Sequence, residues 1–206
     1  MKQIYIHGLG QTPDSWNNVV VQMNVAEHSI CPNLAELVRG KETTYQNLYS
    51  AFAALCDKTD EPLVLCGLSL GGVLALNYAI DFPEKVEHLI LLAPQYKMPK
   101  KLLKFQNLIF RFMPQSSFKQ MGFGKNDFLK LCNTMMELDF SQAVQKIPCP
   151  SLIIYGEKDK ANKTASVELS NLLQHATLKE LSGVGHEINV EASDKLVAVI
   201  KEFLHI

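Results

Sequence analysis

The sequence has no surplus of charge of either sign. Its 206 residues carry 20 Lys and Arg against 21 Asp and Glu, which gives a formal net charge of −1. Proteins that bind nucleic acid through its phosphates present an excess of basic residues, so this balance predicts no nucleic-acid partner. Hydrophobic residues make up 47% and charged residues 20% of the chain, which is typical of a globular protein and excludes a disordered one.

Cysteines are few and show no paired spacing. They form an odd set without a C-x-x-C motif: Cys31, Cys56, Cys66, Cys132 and Cys149. This pattern predicts neither a disulfide framework nor a zinc site, and it favours free thiols in a reducing compartment. The sequence also lacks a glycine-rich dinucleotide fingerprint and a Walker A motif, so we expect no cofactor and no metal.

Long hydrophobic runs are nearly absent. Residues 62–80 form one stretch of 19 residues without a charge, close to the length of a membrane span. This stretch contains three glycines and two polar side chains and begins like a short buried strand, so we do not interpret it as a span. The first residues, MKQIYIHGLG, do not form a signal peptide. We therefore predict a soluble, cytoplasmic protein without stable membrane insertion.

Short apolar runs alternate with helical patterns along the chain. Runs such as LVLC and HLILL are apolar at every position, which is typical of parallel strands covered on both faces. The predicted strands are 3–6, 28–31, 63–66, 86–92, 151–155 and 177–181, and the main predicted helices are 43–57, 70–81, 162–174 and 192–204. This alternation predicts a single α/β domain over residues 1–206, with a doubly wound, mostly parallel sheet of roughly six strands and helices on both faces.

Residues 97–145 interrupt this alternation. They show helical patterns but no convincing strand, and they hold seven of the ten Phe and five of the seven Met. Eight basic and three acidic residues give this segment a charge of +5, against −6 for the rest of the chain. We predict a helical insertion over one edge of the sheet. Its charge would attract an anionic substrate or an acidic membrane surface, although solvated lysines explain it more simply.

A nucleophile motif follows the third predicted strand. The run CGLSLGG contains G-x-S-x-G between a strand and a helix, the context of a nucleophile elbow. Ser69 needs a sharp, strained turn that exposes its Oγ, and Gly67 and Gly71 let the strand and helix approach each other without Cβ clashes. A glycine-rich turn without chemistry would show the same letters. The position beyond the carboxyl end of a central strand favours Ser69 as a nucleophile.

A serine nucleophile needs a base, and His186 is the best candidate. It lies in the loop SGVGHE between the last predicted strand and the last predicted helix, which opens at the same sheet edge as Ser69. The alternative for His186 is a helix-capping role. We interpret the remaining histidines as packed, structural or surface residues: His7, His28, His88, His175 and His205.

The base in turn needs an acid that fixes its tautomer. Asp159 follows the strand SLIIY in the run YGEKD, again at this edge, where its carboxylate can accept the Nδ1–H of His186. Glu157 competes for the role, and a solvated turn acid is the structural alternative. We favour Asp159 because its shorter side chain is stiffer. The order Ser69, Asp159, His186 is that of α/β-hydrolases and differs from the subtilisin and chymotrypsin orders.

Two backbone N–H groups are candidates for an oxyanion hole. The run HGLG directly follows the first predicted strand, and its glycines free the backbone so that the Leu9 N–H can turn inward. Leu70 begins the helix after Ser69, so its N–H and the helix dipole point towards the same place.

With these motifs the chain resembles the α/β-hydrolase family nearly from end to end. HGLGQTPDSW resembles the family's oxyanion loop, GLSLGG its elbow, GEKD its acid loop and GVGH its histidine loop. The resemblance implies a sheet that lacks the family's first two strands. Counted along this chain, its second strand would lie at one edge, followed by the first, third, fourth, fifth and sixth. It also implies a triad of Ser69, Asp159 and His186, and a helical cap at 97–145.

The expected function is that of a serine hydrolase, carboxylesterase-like or thioesterase-like. It would cleave small carboxylic esters or thioesters through an acyl-enzyme on Ser69. Two alternatives stay open: a cofactor-free lyase or synthase that uses the same triad without an acyl-enzyme, and a ligand-binding relative with a vestigial triad. The acyl chain, the leaving group and the oligomeric state are not predicted.

Overall fold

A computed structural model describes residues 1–115, 118 and 123–206. Parts of the predicted insertion, at 116–117 and 119–122, lie outside the described residues. The strands are β1 (Lys2–Ile6), β2 (Ser29–Ile30), β3 (Leu63–Leu68), β4 (Val86–Leu92), β5 (Ser151–Gly156) and β6 (Ala176–Leu181).

The six strands form one parallel sheet in the order β2-β1-β3-β4-β5-β6. This confirms the predicted fold class and the strand order that the family resemblance implies. In the register, Ile6 pairs with Gly67, Leu68 with Leu92 and Gly156 with Leu181. The carboxyl ends of the strands therefore lie along one edge of the sheet, and the loops that follow them are neighbours.

Helices cover both faces of this sheet. They are α1 (Asn17–Met23), α2 (Leu34–Leu37), α3 (Tyr45–Cys56), α4 (Leu70–Asp81), α5 (Lys100–Phe112), α6 (Lys125–Met135), α7 (Lys160–Leu172), α8 (Ile188–Glu191) and α9 (Ser193–Leu204). Short 3₁₀ turns occur at Pro13–Trp16, Ala26–His28, Pro83–Lys85 and Val144–Lys146.

The apolar runs of the strands divide between two cores. Alternate side chains of β1 and β3, such as Ile4 and Leu65, pack with α3, α4 and α6 on one face. Their neighbours, such as Tyr5 and Val64, pack with α1 and α9 on the other face. Because both faces are covered by helices, every strand position can be apolar, which explains why the runs do not alternate.

The second strand is shorter than predicted. The expected strand at 28–31 contracts to Ser29–Ile30 because a 3₁₀ turn over Ala26–His28 comes directly before it. His28 is therefore exposed in a turn and does not begin a strand. The short helices α1, α2 and α8 were not predicted, since they have too few turns to show a helical period.

The segment after β4 carries α5 and α6. An isolated antiparallel bridge joins Lys97 to Asp139, and an ion pair between their side chains at 3.0 Å reinforces it. Inside the segment, the Phe128 ring packs edge-on against Phe110 and Phe118, with ring centroids 4.9 and 5.3 Å away. None of the helices formed by the described residues has both the length and the apolar character needed to cross a lipid bilayer.

Candidate active site

The turn between β3 and α4 holds Ser69 in a strained conformation. Its φ is 51° and its ψ is −111°, a region that costs a non-glycine residue about 1–3 kcal/mol. The Ser69 N–H donates to the Leu92 carbonyl at 2.9 Å, which ties the turn to the end of β4. The surrounding backbone thus holds the serine in a position that the isolated chain would not favour.

The two glycines of the motif permit backbone contacts that a Cβ would block. A Cβ on Gly67 would lie 2.3 Å from the carbonyl oxygen of Gly71, and one on Gly71 would lie 2.1 Å from that of Ile6. Both distances are far below van der Waals contact. The glycines therefore bring β1, β3 and α4 together beneath Ser69, as the steric argument from the sequence requires.

Leu9 and Leu70 flank the cavity that Ser69 lines, and their backbone N–H groups are the candidates for an oxyanion hole. Leu70 is the first residue of α4, where an N–H has no acceptor within the helix. Leu9 lies between Gly8 and Gly10, and Gly10 has a φ of 91° that favours glycine. In the described part of the chain, the Leu9 N–H makes no backbone hydrogen bond. Both residues line the same cavity as Ser69.

The loop that carries Leu9 is held by its neighbours. Gln11 accepts the Gly8 N–H at 3.2 Å and donates to Glu187 and to the buried Asn189. Gln11 thus connects this loop to the residues just after His186. The His7 ring is 2% exposed, donates from Nδ1 to the Gly8 carbonyl and accepts the Leu34 N–H at Nε2. Burial lowers the pKa of His7, which suits a neutral, structural ring.

Asp159 and His186 are joined by a short hydrogen bond. The His186 Nδ1–H donates to Asp159 Oδ2 at 2.6 Å. A carboxylate only accepts, so Nδ1 carries the proton, and Nε2 of the neutral ring keeps its lone pair. Asp159 is 7% exposed and also caps α7 by accepting the Asn162 N–H. Burial would raise the pKa of Asp159, but hydrogen bonds from His186 and Asn162 outweigh burial and hold that pKa below its ordinary value.

The loops after β5 and β6 are packed against each other. The Lys158 N–H donates to the Val184 carbonyl at 2.9 Å, and a Cβ on Gly156 would lie 2.1 Å from the Gly185 carbonyl oxygen. Glu157 is exposed and accepts the Gly183 N–H at 2.7 Å. Glu157 therefore holds the turn before His186, while Asp159 contacts the imidazole.

Ser69, Asp159 and His186 line one cavity of about 480 Å³ together with Leu9 and Leu70. Among the described residues, the hydrogen bond of the His186 ring runs from Nδ1 to Asp159, and none joins the ring to the Ser69 hydroxyl. In serine hydrolases the hydrogen bond between the serine and the histidine often tightens only when substrate binds. The rest of the wall is mostly apolar and comes largely from the segment after β4: Met98, Pro99, Leu103, Phe110, Phe128, Cys132 and Met135.

Two amides at the site were missed by sequence reasoning. Asn162 donates to both oxygens of Asp159, and Gln95 donates to Asn162. Asn162 lies three residues after a helix-capping Asp, a spacing that brings the side chain back to the cap and offered a usable signal. Gln95 is 67 positions away along the chain, and no local pattern pointed to it. In the described ranges, no three His, Cys, Asp or Glu side chains are grouped to hold a metal ion.

Comparison with known proteins agrees with this architecture. The family model described as "Alpha/beta hydrolase family" matches residues 4–199. The chain therefore belongs to the alpha/beta hydrolase family, which confirms the resemblance noted in its motifs.

Named relatives lie at low identity. The pimeloyl-[acyl-carrier protein] methyl ester esterase of Wigglesworthia glossinidia brevipalpis is 23% identical, over 97% of this chain and 79% of its own length. The monoacylglycerol lipase ABHD6 of Mus musculus is 20% identical, over 98% of this chain and 74% of its own length. Among solved structures, MenH from S. aureus superposes with a TM-score of 0.83 at 19% identity, covering 100% of this chain and 93% of that one.

Proposed function

We propose that this chain is a serine hydrolase that cleaves small carboxylic esters or thioesters through an acyl-enzyme on Ser69. The esterase and lipase among its relatives assign it to the carboxylic ester hydrolases. The observation that carries the finer proposal is the hydrogen bond of 2.6 Å from His186 to Asp159, on the wall of the cavity that Ser69 also lines.

In the proposed mechanism, Nε2 of His186 removes the Ser69 proton as Oγ attacks the substrate carbonyl. The N–H groups of Leu9 and Leu70 hold the resulting oxyanion, and each such donor contributes about 3–4 kcal/mol to transition-state stability. Asp159 stabilises the imidazolium, which then protonates the departing alcohol or thiol. Water activated by His186 attacks the acyl-enzyme, releases the acid and returns the proton to Ser69.

The substrate's acyl group is proposed to lie against the segment at 97–145, which acts as a cap. The lining from α5 and α6 is apolar, and the cavity of about 480 Å³ has room for a small ester. The described residues of the cavity wall include no Lys or Arg, so we propose a neutral acyl chain. All five cysteines are free thiols, which supports a reducing, cytoplasmic location.

Substitution of the nucleophile and the base tests this function. Ser69→Ala and His186→Ala are expected to lower turnover of a p-nitrophenyl ester by at least about a thousandfold, with circular dichroism unchanged. A fluorophosphonate probe is expected to label the wild type and not Ser69→Ala. Normal turnover by Ser69→Ala would contradict the proposal, and unlabelled protein without esterase activity would point to a ligand-binding relative.

A further inference from the structure

The side-chain amide of Asn162 lies between the acid and the base of the site. Its Nδ2 donates to Asp159 Oδ1 at 2.9 Å and to Oδ2 at 2.8 Å, and it lies 3.2 Å from His186 Nδ1. Since Nδ1 also donates to Asp159, the two nitrogens are both donors and share one acceptor. The carboxylate is therefore held from two directions, by the imidazole and by the amide.

The orientation of this amide is determined by its surroundings. If the amide turned over, its oxygen would face the two oxygens of Asp159, and acceptors would oppose each other. Asn162 Oδ1 instead accepts from Gln95 Nε2 at 2.7 Å, and Gln95 Nε2 also lies 3.5 Å from the Ala161 carbonyl. Gln95 comes from the loop after β4, and Asn162 comes from the first turn of α7. A chain of hydrogen bonds thus crosses from one loop to the other and ends on Asp159.

We propose that Asn162 is a positioning residue for the triad, oriented by Gln95, which holds the Asp159 carboxylate towards His186 and withdraws part of its negative charge. This inference rests on the proposed function, because a triad is needed for Asp159 to act through His186. Each amide donor reduces the charge with which Asp159 attracts the imidazolium. The amide therefore fixes the position of the carboxylate, and it also lowers the proton affinity of the Asp159–His186 pair.

The charged side chains that flank Asp159 and Asn162 are exposed: Lys158, Lys160 and Lys163, of which Lys163 pairs with Glu180 at 2.8 Å. Among the described residues that line the cavity, the titratable side chains are Asp159, His186 and Cys132 on α6. Burial raises the pKa of the Cys132 thiol to about 12, so it stays neutral. Glu187, the next residue after His186, pairs with Gln11, and Glu191 accepts the Gly185 N–H. A carboxylate placed at position 162 would lie beside both Asp159 and the imidazole, because the Asn162 amide lies 3.2 Å from His186 Nδ1.

The first test replaces Asn162 with Asp. A second carboxylate beside Asp159 raises the proton affinity of the Asp159–His186 pair, so the acid limb of kcat/KM should move to higher pH by about one unit or more. The measurement is the pH profile of p-nitrophenyl ester hydrolysis. A profile that keeps its midpoint while activity falls would overturn the electrostatic part of the proposal.

The second test replaces Asn162 with Ala and uses Asn171→Ala, an exposed position in the last turn of the same helix, as the matched control. In Asn162→Ala the carboxylate keeps only the bonds from the imidazole and from the backbone N–H of residue 162. Because the amide no longer fixes its position, kcat should fall about ten- to a hundredfold while KM stays near the wild-type value. The control should retain both constants. A rise in KM with kcat unchanged would show that Asn162 contacts substrate and does not position Asp159.

The coupling between Gln95 and Asn162 can be measured with a double-mutant cycle. Gln95→Met removes the donor to Asn162 Oδ1 without adding charge, and it should lower kcat less than Asn162→Ala does. Gln95→Glu should lower kcat more than Gln95→Met does, because a carboxylate at position 95 attracts the Asn162 NH₂ away from Asp159. In the Asn162→Ala background, Gln95→Met should have no further effect on kcat. Fully additive losses would contradict the claim that Gln95 acts through Asn162.

A readout without turnover separates this proposal from the proposed function. In Ser69→Ala, the proton in the His186–Asp159 hydrogen bond should give a far-downfield NMR resonance, which His186→Gln should abolish. Adding Asn162→Ala to Ser69→Ala should broaden or remove this resonance, whereas Asn171→Ala should keep it. A resonance that persists unchanged without Asn162 would overturn the positioning role, whatever the catalytic tests of Ser69 show.

Discussion

Gly71 brings α4 against the end of β1, with its Cα facing the Ile6 carbonyl. Gly71→Ala would place a methyl group 2.1 Å from that oxygen, whereas Gly72→Ala, one residue further in the same helix, would meet the Gly67 oxygen at 3.1 Å. Because backbone must move in the first case, we expect Gly71→Ala to lower the free energy of unfolding by about 3 kcal/mol.

For Gly72→Ala a smaller loss is expected, since a shift of a few tenths of an ångström suffices and Ala favours the helix by about 1 kcal/mol. Urea denaturation of both variants measures the difference. Equal stabilities would show that the packing under Ser69 does not depend on Gly71.

Asp159 makes part of the stability depend on pH. The pKa of its carboxyl lies below the ordinary value of 3.8 in the folded chain, so the folded state binds this proton less readily than the unfolded state does. The resulting stabilisation is present above the unfolded pKa and is lost as pH falls through the folded pKa.

The stability difference between the wild type and Asp159→Asn tests this sign. It should be larger at about pH 7 than at about pH 3, as measured by urea denaturation at both pH values. A difference that grows on acidification would contradict the assignment of the hydrogen bonds at Asp159.

At the level of elements, α5 and α6 depend on one aromatic cluster. Phe128 is 3% exposed and touches both Phe110 and Phe118, and it also lines the cavity. Phe128→Ala should cost about 3–5 kcal/mol, and it should enlarge the cavity so that kcat/KM shifts towards longer acyl chains.

Phe112→Ala is the matched control on α5, because its ring is 83% exposed. It should change neither stability nor the order of preference across a series of p-nitrophenyl esters. The same preference in wild type and Phe128→Ala would mean that the acyl chain lies elsewhere.

Elements with many apolar residues were predictable, and short ones were not. The strands β3, β4 and β5 are buried on both faces, so their apolar runs marked them directly. Strand β2 has two residues held by pairing with β1, a contact that local sequence does not contain. That Ser69, Asp159 and His186 would share one cavity was predictable, because each follows a strand that ends at the same sheet edge. The Gln95–Asn162 contact depends on how the loop after β4 meets the first turn of α7, which no local pattern encodes.

On the scale of the molecule, the basic charge of the segment after β4 does not reach the cavity wall, as far as the structure describes that wall. Several basic residues of the segment after β4 are engaged in ion pairs: Lys97 with Asp139, Lys100 with Glu137 and Lys130 with Glu42. Lys125 donates to two backbone carbonyls, those of Arg111 and Met113. These contacts favour a structural role for the positive charge over recruitment of an anionic substrate.

Salt dependence tests this interpretation. Between about 0.01 M and 1 M salt the Debye length falls from about 30 Å to about 3 Å, and kcat/KM for a neutral ester should change by less than about twofold. A matched ester with a carboxylate on its acyl chain should be a poorer substrate with a similar response. A steep fall with salt for the anionic ester alone would indicate that the basic segment attracts substrate.

The proposed mechanism depends on transfer of the substrate's acyl group to the Oγ of Ser69. Rapid quenching during turnover of p-nitrophenyl butyrate, followed by mass spectrometry of proteolytic fragments, tests it most directly. We expect a butyryl group on the fragment that contains Ser69, and none on that fragment in Ser69→Ala. Rapid turnover with neither an acyl adduct nor a burst of p-nitrophenol would contradict an acyl-enzyme mechanism. An adduct on Cys132 in place of Ser69 would contradict it as well.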